Sequence, residues 1–313
     1  MKHTIAIEFG GQSIKAALID QHYQYANLTS RNSMTLGQEN PPSYDDFERD
    51  FESLLQAIKG DRDISAVGIA HPNPCDPESL TFKLGQKPAY EHINGHPLKS
   101  LILNGTGLSV YQTIYDAGAA GLGELWQGKI AAHGRFLLLT LGTGLGAVFI
   151  DDGLIVTGRD VKGIPDSGEL WDYQYRDTNL ENVTGTTKAA VSIYRGLGGS
   201  DPEVLAGNLK KLASMGYENR DGGIAQKTFA EFGLLLGDSL APVAIKFRPE
   251  VIILSGNIAL AYDLFEPAAT QALEAGLDGS NVSTNIIQSD LIDRGGLLGA
   301  AFRAFYPNHP IRA

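Results

Sequence analysis

Cysteine is almost absent from this chain, since Cys75 is the single one among 313 residues. One cysteine excludes an internal disulfide and a cysteine-rich zinc cluster. Lysine and arginine form no run and the net charge is −11, so we expect no nucleic-acid partner. No apolar run approaches the ~20 residues of a membrane helix, and the N-terminal one is broken by Glu8. We therefore expect a cytoplasmic protein with no membrane partner.

Length and composition are typical of a soluble protein with two domains. Hydrophobic residues make up 43% of the chain and charged residues 19%, as in soluble globular proteins. A chain of this length exceeds what one small core usually organises. The alternation of predicted strands and helices indicates an α/β fold with mixed sheets and a domain boundary near Asp116. The main predicted helices are Ser43–Ile58, Ala117–Leu125, Pro202–Met215, Ile224–Phe247 and Gly295–Phe305, and the predicted strands include Ile64–Ala70, Leu108–Thr113 and Val251–Leu254.

Two stretches of the sequence share one pattern: an apolar run, a glycine-rich turn and a second apolar run that ends in Ile-Asp. The stretches are Ile5–Asp20 and Leu137–Asp151. The pattern predicts strand, tight turn and strand. Glycine in such a turn permits positive φ and lets backbone N–H groups approach a ligand closely. The repetition suggests a duplicated fold with one phosphate-binding turn in each half.

Two other interpretations of these glycines are open. Gly142, Gly144 and Gly146 could begin a dinucleotide fingerprint, but that motif runs from a strand into a helix. Here the glycines lead into Ala-Val-Phe-Ile and a further apolar run, which predicts strands. Each hairpin could also be a plain turn that uses glycine for its geometry, and the occurrence of two such hairpins is what favours a functional role.

Four motifs, in order along nearly the whole chain, resemble those of the ROK family of bacterial sugar kinases, repressors and open reading frames. This family belongs to the actin, hexokinase and Hsp70-like ATPase superfamily. The motifs are Glu8–Lys15 for the first phosphate motif, Tyr115–Glu124 for the Asn-Asp motif, Leu141–Gly146 for the second phosphate motif and Pro249–Asn257 for the adenosine motif.

The resemblance implies a two-domain actin-like ATPase (ribonuclease H-like) fold with an interdomain cleft. The expected domains are residues 1–115, completed by a C-terminal helix at about 292–313, and residues 116–291. ATP, Mg²⁺ and a sugar would be bound, and the protein would be a homodimer. On this basis Glu8 would hold Mg²⁺ through water. The expected nucleotide-binding residues are Gly10, Gly11, Gln12, Lys15, Gly142, Thr143, Gly144, Gly256 and Asn257.

Asp116 matches the family's catalytic aspartate, which implies that it is the general base for the sugar hydroxyl. A carboxylate within hydrogen-bond reach can accept that proton. The alternative is that Asp116 only caps a helix, a position where aspartate is common.

The expected sugar-binding residues lie beside Asp116 and in a long polar loop, Gly158–Asn182. They are Tyr115, Asp116, Glu169, Asp172 and Glu181. The alternative for the two glutamates is that they are solvated loop acids.

The chain departs from the family pattern at several positions. Glu8 replaces an aspartate, Gln12 a threonine and Tyr115 an asparagine, and Asp172 stands where a histidine is usual. Tyr115 could stack on a sugar or narrow the pocket. The segment Tyr173–Asn179 contains none of the cysteines of the family's zinc motif, so we expect no structural zinc.

These departures leave more than one function open. The leading prediction is an ATP-dependent kinase for a hexose or an N-acetylhexosamine: glucose, fructose, mannose, N-acetylmannosamine and allose all remain open. The alternative is a sugar-binding sensor with weak or no kinase activity. A repressor is disfavoured because the first hairpin begins at residue 4, which leaves no room for a preceding DNA-binding domain.

Overall fold

The computed structural model describes residues 3–10, 13–22, 24–32, 43–84, 90–128, 134–219 and 223–309. Gly11 and Gln12 lie outside the described residues. The first half contains β1 (His3–Phe9), β2 (Ser13–Asp20), β3 (Tyr25–Asn32), α1 (Tyr44–Lys59), β4 (Ile64–His71), β5 (Cys75–Asp76), β6 (Thr81–Phe82), α2 (Lys99–Thr106), β7 (Gln112–Tyr115) and α3 (Asp116–Gln127). The remainder contains β8 (Arg135–Leu141), β9 (Leu145–Asp151), β10 (Leu154–Val156), β11 (Gln174–Tyr175), β12 (Thr178–Asn179), α4 (Leu180–Val183), α5 (Thr187–Gly196), α6 (Pro202–Leu205), α7 (Leu209–Glu218), α8 (Ile224–Phe247), β13 (Val251–Ser255), a 3-10 helix (Asn257–Ala261), α9 (Tyr262–Leu277), β14 (Asn285–Gln288) and α10 (Gly295–Phe305).

Contacts divide the chain into two units. The first comprises Met1–Ala131 and Arg294–His309, and the second comprises Ala132–Asp293 and Pro310–Ala313. The first unit thus includes α3, which packs along α10. The boundary between the units therefore follows α3, whereas the sequence predicted it near Asp116, where α3 begins.

The first unit is built on a five-stranded sheet in the order β3-β2-β1-β4-β7. Alternate residues of β1 point to opposite faces. Ile5, Ile7 and Phe9 are fully buried in the hydrophobic core that the residues of α1 and α2 complete. On the other face α10 packs against β1 and β4. The approach is close: a Cβ on Gly68 of β4 would clash with the backbone of Ala300.

The second unit is built on a sheet in the order β10-β9-β8-β13-β14. Residues of α5, α7, α8 and α9 form one hydrophobic core with β8, β9 and β13. Leu137, Leu139 and Leu141 of β8 are almost fully buried in it. This arrangement places the glycine-rich turn after Leu141 at the end of the central strands.

The two sheets have the same topology. In each, an antiparallel three-strand meander is extended by two parallel strands, β1 with β4 and β7 in one sheet and β8 with β13 and β14 in the other. Each glycine-rich hairpin occupies the corresponding position, β1–β2 in one unit and β8–β9 in the other. The duplication that the sequence pattern predicts is therefore confirmed.

Most predicted elements are confirmed, and three differ. The predicted helix Pro202–Met215 is two helices, because Gly207 adopts a φ of 97° and Asn208 caps α7 by accepting the Lys211 N–H. The strand predicted at Leu108–Thr113 begins only at Gln112. The loop predicted at Gly158–Asn182 contains the β11–β12 hairpin and the first turn of α4.

Helix α8 is long and apolar enough to cross a membrane by length and composition, which the sequence analysis did not anticipate. Its most apolar window is 61% buried within the protein. Because α8 packs along α9 and contacts α5 and α7, we interpret it as the core helix of the second unit.

Candidate functional site

The first glycine-rich hairpin pairs two of the predicted site residues. Glu8 and Lys15 lie directly opposite each other on β1 and β2, and Lys15 Nζ lies 3.7 Å from Glu8 Oε2. The Gly10 N–H donates to the Ser13 carbonyl at 3.0 Å, which closes the turn. The hairpin therefore presents a carboxylate and an ammonium group side by side, both partly accessible to solvent.

The start of α10 contacts the Glu8 carboxylate. A Cβ on Gly296 would lie 2.7 Å from the carboxyl carbon of Glu8, so only glycine fits there without displacing this side chain. The positive end of the α10 dipole stabilises a negative charge at this point. The role of Gly296 has no local signal in the sequence, since it depends on a helix from the far end of the chain.

Asp116 is the first residue of α3, and Tyr115 is its N-cap. Asp116 is exposed, and its Oδ1 accepts the N–H of Ala117 at 2.8 Å. Tyr115 rather than Asp116 holds the N-cap position, but the Asp116 carboxylate still accepts an N–H of the first turn, so it also stabilises the start of α3. The Tyr115 ring packs over the first turn of α3, where a Cβ on Gly118 would lie 2.7 Å from ring atom Cε1.

Tyr90 is a further residue of this region that the sequence analysis did not single out. It is buried, and its hydroxyl donates to the Phe9 carbonyl at 3.4 Å. Burial raises the pKa of Tyr90, and the charges of Asp116 and Glu8 raise it further. The Tyr90 phenol therefore lies within electrostatic reach of both carboxylates. A lone tyrosine in a loop carries no signal that would predict this position.

The second glycine-rich turn is held by the start of α5. The N–H of Thr187 donates to the Gly142 carbonyl at 2.8 Å, and the Thr187 hydroxyl donates to the same oxygen at 3.2 Å. Thr186 caps α5 by accepting the Ala189 N–H. Thr143 and Gly144 are exposed. The turn therefore lies beside a helix N-terminus, a favourable location for a phosphate.

The predicted adenosine motif lies next to this turn. Ser255 pairs with Thr140 in the parallel β8–β13 ladder. Gly256 adopts a φ of 86°, and a Cβ there would clash with the backbone of Leu141. Asn257 begins the 3-10 helix and is exposed. The structure thus brings the second phosphate motif and the adenosine motif together within the second unit.

The predicted sugar-binding acids lie in two connected segments of the second unit. The Glu181 N–H donates to the Trp171 carbonyl at 3.4 Å, and Trp171 lies between Glu169 and Asp172 in the chain. Glu169 and Glu181 are half-buried, whereas Asp172 is exposed. Part of the surface of each glutamate is therefore withdrawn from solvent, and the sugar-binding role of both stays a prediction.

Glu181 also reaches the second phosphate motif. A Cβ on Gly144 would lie 3.3 Å from Glu181 Oε1. This distance is shorter than most Cβ contacts in proteins, so the Glu181 carboxylate lies directly beside Gly144. The Thr186 hydroxyl donates to the Glu181 carbonyl at 3.1 Å. The second unit therefore assembles phosphate-turn glycines and a carboxylate in one place.

Comparison with known proteins assigns the chain to a family. A sequence model of the ROK family matches residues 4–164, about half of the chain. The chain belongs to the ROK family. It is 25% identical to a glucokinase of Thermotoga maritima over 95% of both chains, and 24% identical to a beta-glucoside kinase of Klebsiella pneumoniae over 81% of both chains.

The ROK fold is equally clear from solved structures. A ROK family glucokinase from Streptomyces griseus, solved in complex with glucose and AMPPNP, superposes with a TM-score of 0.77 at 21% identity. The alignment covers 97% of this chain and 99% of that one. The predicted actin-like ATPase fold with mixed sheets is confirmed.

Proposed function

We propose that this ROK protein is an ATP-dependent sugar kinase that transfers the γ-phosphoryl group of ATP to a hydroxyl of a hexose or an N-acetylhexosamine. The observation that carries the proposal is Asp116, an exposed carboxylate at the first residue of α3 in a chain of this family. The similarity to proteins named glucokinase and beta-glucoside kinase supports the class of substrate.

Asp116 acts as the general base. Phosphoryl transfer needs little covalent help, and catalysis rests on positioning, charge neutralisation and removal of the hydroxyl proton. The Asp116 carboxylate accepts that proton as the sugar oxygen attacks phosphorus. The bond between phosphorus and the bridging oxygen of ADP breaks, and ADP leaves.

The two glycine-rich turns bind the nucleotide. Lys15 neutralises phosphate charge, and the backbone N–H groups of Thr143 and Gly144 donate to phosphate oxygens. The N–H groups of Gly10 and Gly142 donate to the carbonyls of Ser13 and Gly144, so these two glycines shape the turns. Gly11 and Gln12, outside the described residues, are proposed as nucleotide-binding residues on the resemblance alone. Gly256 and Asn257 bind the adenosine. The fixed φ of Gly256 and its close approach to Leu141 support a conformation held ready for the ligand.

Tyr115, Glu169, Asp172 and Glu181 orient the sugar. Carboxylates bind pairs of hydroxyls well because each oxygen accepts two hydrogen bonds. Tyr115 packs against α3, so we propose that it narrows the sugar pocket on its side of Asp116.

Glu8 fits a hydrated Mg²⁺. Magnesium prefers carboxylate oxygens and keeps several waters, and the side chain of Glu8 is 22% exposed. Held there by Glu8, Mg²⁺ would supply positive charge to neutralise the phosphate groups. We propose no structural zinc and a cytoplasmic homodimer. Elemental analysis tests the absence of zinc, and light scattering tests the oligomeric state. The expected domains, 1–115 with 292–313 and 116–291, differ from the observed units, because α3 packs along α10 and so belongs to the first unit.

The test is an ADP-release assay with ATP and Mg²⁺ on a panel of hexoses and N-acetylhexosamines. Asp116→Asn should lower kcat by roughly 10²–10⁴-fold, because asparagine keeps the shape but cannot accept the proton. Sugar affinity, measured by calorimetry, should change little. The matched control is Asp45→Asn, an exposed acid in the first turn of α1.

Two results would contradict the proposal. An Asp116→Asn variant as fast as the wild type would remove Asp116 as the base. A wild type that binds a sugar but phosphorylates none would identify the sensor instead.

A further inference from the structure

A cluster around Asp238 connects the β11–β12 hairpin to α8. The Tyr175 hydroxyl donates a short hydrogen bond to Asp238 Oδ2. Arg176 Nη2 donates to the same oxygen at 3.0 Å, and its guanidinium lies 4.8 Å from the centre of the Tyr175 ring. We call Tyr175, Arg176 and Asp238 the Asp238 cluster.

Two further hydrogen bonds, one on each side of the hairpin, attach this part of the chain to α8. Lys246 Nζ lies 3.4 Å from the Tyr173 hydroxyl, at the base of the hairpin. Beyond the hairpin, the buried Thr184 hydroxyl donates to the carbonyl of Phe232 at 3.2 Å. The segment from Tyr173 to Thr184 therefore runs along α8 and is attached to it on both sides of the Asp238 cluster.

This segment carries Glu181. The hairpin leads directly into α4, where the Leu180 N–H donates to the Tyr173 carbonyl at 2.9 Å. Glu181 is the next residue. Its N–H donates to the Trp171 carbonyl, and its carboxylate lies beside Gly144. A displacement of the hairpin from α8 would therefore move the Glu181 carboxylate.

We propose that Asp238 is a positioning residue, which through Tyr175 and Arg176 fixes the hairpin that holds Glu181 beside Gly144 and so sets the affinity for the sugar. This inference rests on the proposed function, because it uses Glu181 as a sugar-binding residue.

The contributions within the Asp238 cluster are unequal. The side chains of Arg176 and Asp238 are 66% and 49% exposed, and exposed ion pairs contribute little. Tyr175 as a whole is 8% exposed, so removal of its acceptor would leave the partly buried hydroxyl of a well-packed side chain without that partner. We therefore expect the Tyr175–Asp238 hydrogen bond to matter more than the Arg176–Asp238 pair.

The first experiment needs neither sugar nor ATP. Hydrogen exchange of the Leu180, Glu181 and Thr184 amides is compared in wild type, Asp238→Ala, Asp238→Asn and Tyr175→Phe. Asp238→Ala and Tyr175→Phe should accelerate exchange by roughly five- to tenfold. Asp238→Asn keeps an acceptor for the phenol and should stay near the wild type. Glu231→Ala, an exposed acid two turns earlier on α8, is the matched control.

The second experiment measures steady-state kinetics with the sugar that the wild type phosphorylates best. Asp238→Ala and Tyr175→Phe should raise KM for the sugar by about tenfold with a smaller change in kcat, as expected when binding is lost equally from ground and transition states. KM for ATP should stay unchanged, and Asp238→Asn should retain most of the affinity.

The wild type tests the proposed function, whereas the variants of the Asp238 cluster test the inference, so the two can fail separately. A wild type without sugar phosphorylation or sugar binding rejects the proposed function and, with it, a role of Asp238 in sugar affinity. If the wild type is active, unchanged amide exchange in both Asp238→Ala and Tyr175→Phe overturns the inference. It is also overturned if Glu181→Ala raises the sugar KM while both cluster variants leave it unchanged.

Discussion

Tyr115 and Gly118 illustrate how two residues one helical turn apart shape the region around Asp116. The Tyr115 ring occupies the space over α3 that a side chain at position 118 would need. Tyr115 also pairs with His71 across the β4–β7 ladder, so its backbone is fixed by the sheet while its ring rests on the helix. The residue before the proposed base is therefore held from two sides.

Gly118→Ala should displace the Tyr115 ring and lower activity without loss of stability. Alanine favours the helix by about 1 kcal/mol relative to glycine, whereas a misplacement of about 1 Å near the reacting groups can cost as much as a hundredfold in rate. We expect kcat/KM for the sugar to fall and the sugar preference on the panel to change. Gly196→Ala is the control, since a Cβ there meets no atom within 4 Å. Equal kinetics in the two variants would exclude this role of the ring.

At the scale of elements, the contact between α3 and α10 depends on backbones that nearly touch. A Cβ on Gly299 would clash with the carbonyl of Ala119, and one on Gly123 would clash with the carbonyl of Gly295. Close packing of this kind tolerates no added methyl group without backbone movement. Helix α3 begins at Asp116 and α10 begins beside Glu8, so this contact also positions two proposed site residues within the first unit.

Gly299→Ala should therefore lower the free energy of unfolding by about 1–3 kcal/mol, the usual cost of overpacking. The measurement is the midpoint of urea unfolding, followed by circular dichroism. Gly196→Ala again serves as the control, since it adds the same atom at an open helical position. An unchanged midpoint for Gly299→Ala would mean that α10 does not pack on α3 as described.

At the scale of the whole molecule, three tyrosines with partly or fully buried side chains couple stability to alkaline pH. Burial is the main cause that raises the pKa of Tyr111, Tyr175 and Tyr262 to about 12 from an ordinary value of 10.0. Asp238 adds to the effect at Tyr175 as its hydrogen-bond acceptor. The folded protein therefore retains these protons at a pH at which the unfolded chain releases them.

Stability should accordingly fall between about pH 10 and 12. A group whose folded-state pKa is raised contributes fully below its unfolded pKa, and the contribution is lost as the pH rises through the folded value. The free energy of unfolding, measured with urea at a series of alkaline pH values, should decline more steeply for wild type than for Tyr262→Phe. The same slope in both proteins would contradict the raised pKa of Tyr262.

Much of the fold and the candidate phosphate turns could be predicted from the sequence, because their signals are local. The apolar spacing of Phe47, Phe51 and Leu55 defines one face of α1, and glycine between two apolar runs defines each hairpin. Even the break at Gly207-Asn208 has a local signal, glycine followed by a capping asparagine, which the apolar periodicity outweighed in the sequence analysis.

Only the tertiary structure decided which side chains meet. Glu8 contacts Gly296 near the other end of the chain, Glu181 reaches Gly144 across a loop, and the hairpin of Tyr175 is attached to Asp238 of α8. Such contacts depend on how helices pack on sheets, and no spacing in the sequence encodes them. Local order followed from periodicity and turn chemistry, whereas the arrangement of the charged groups followed from long-range packing.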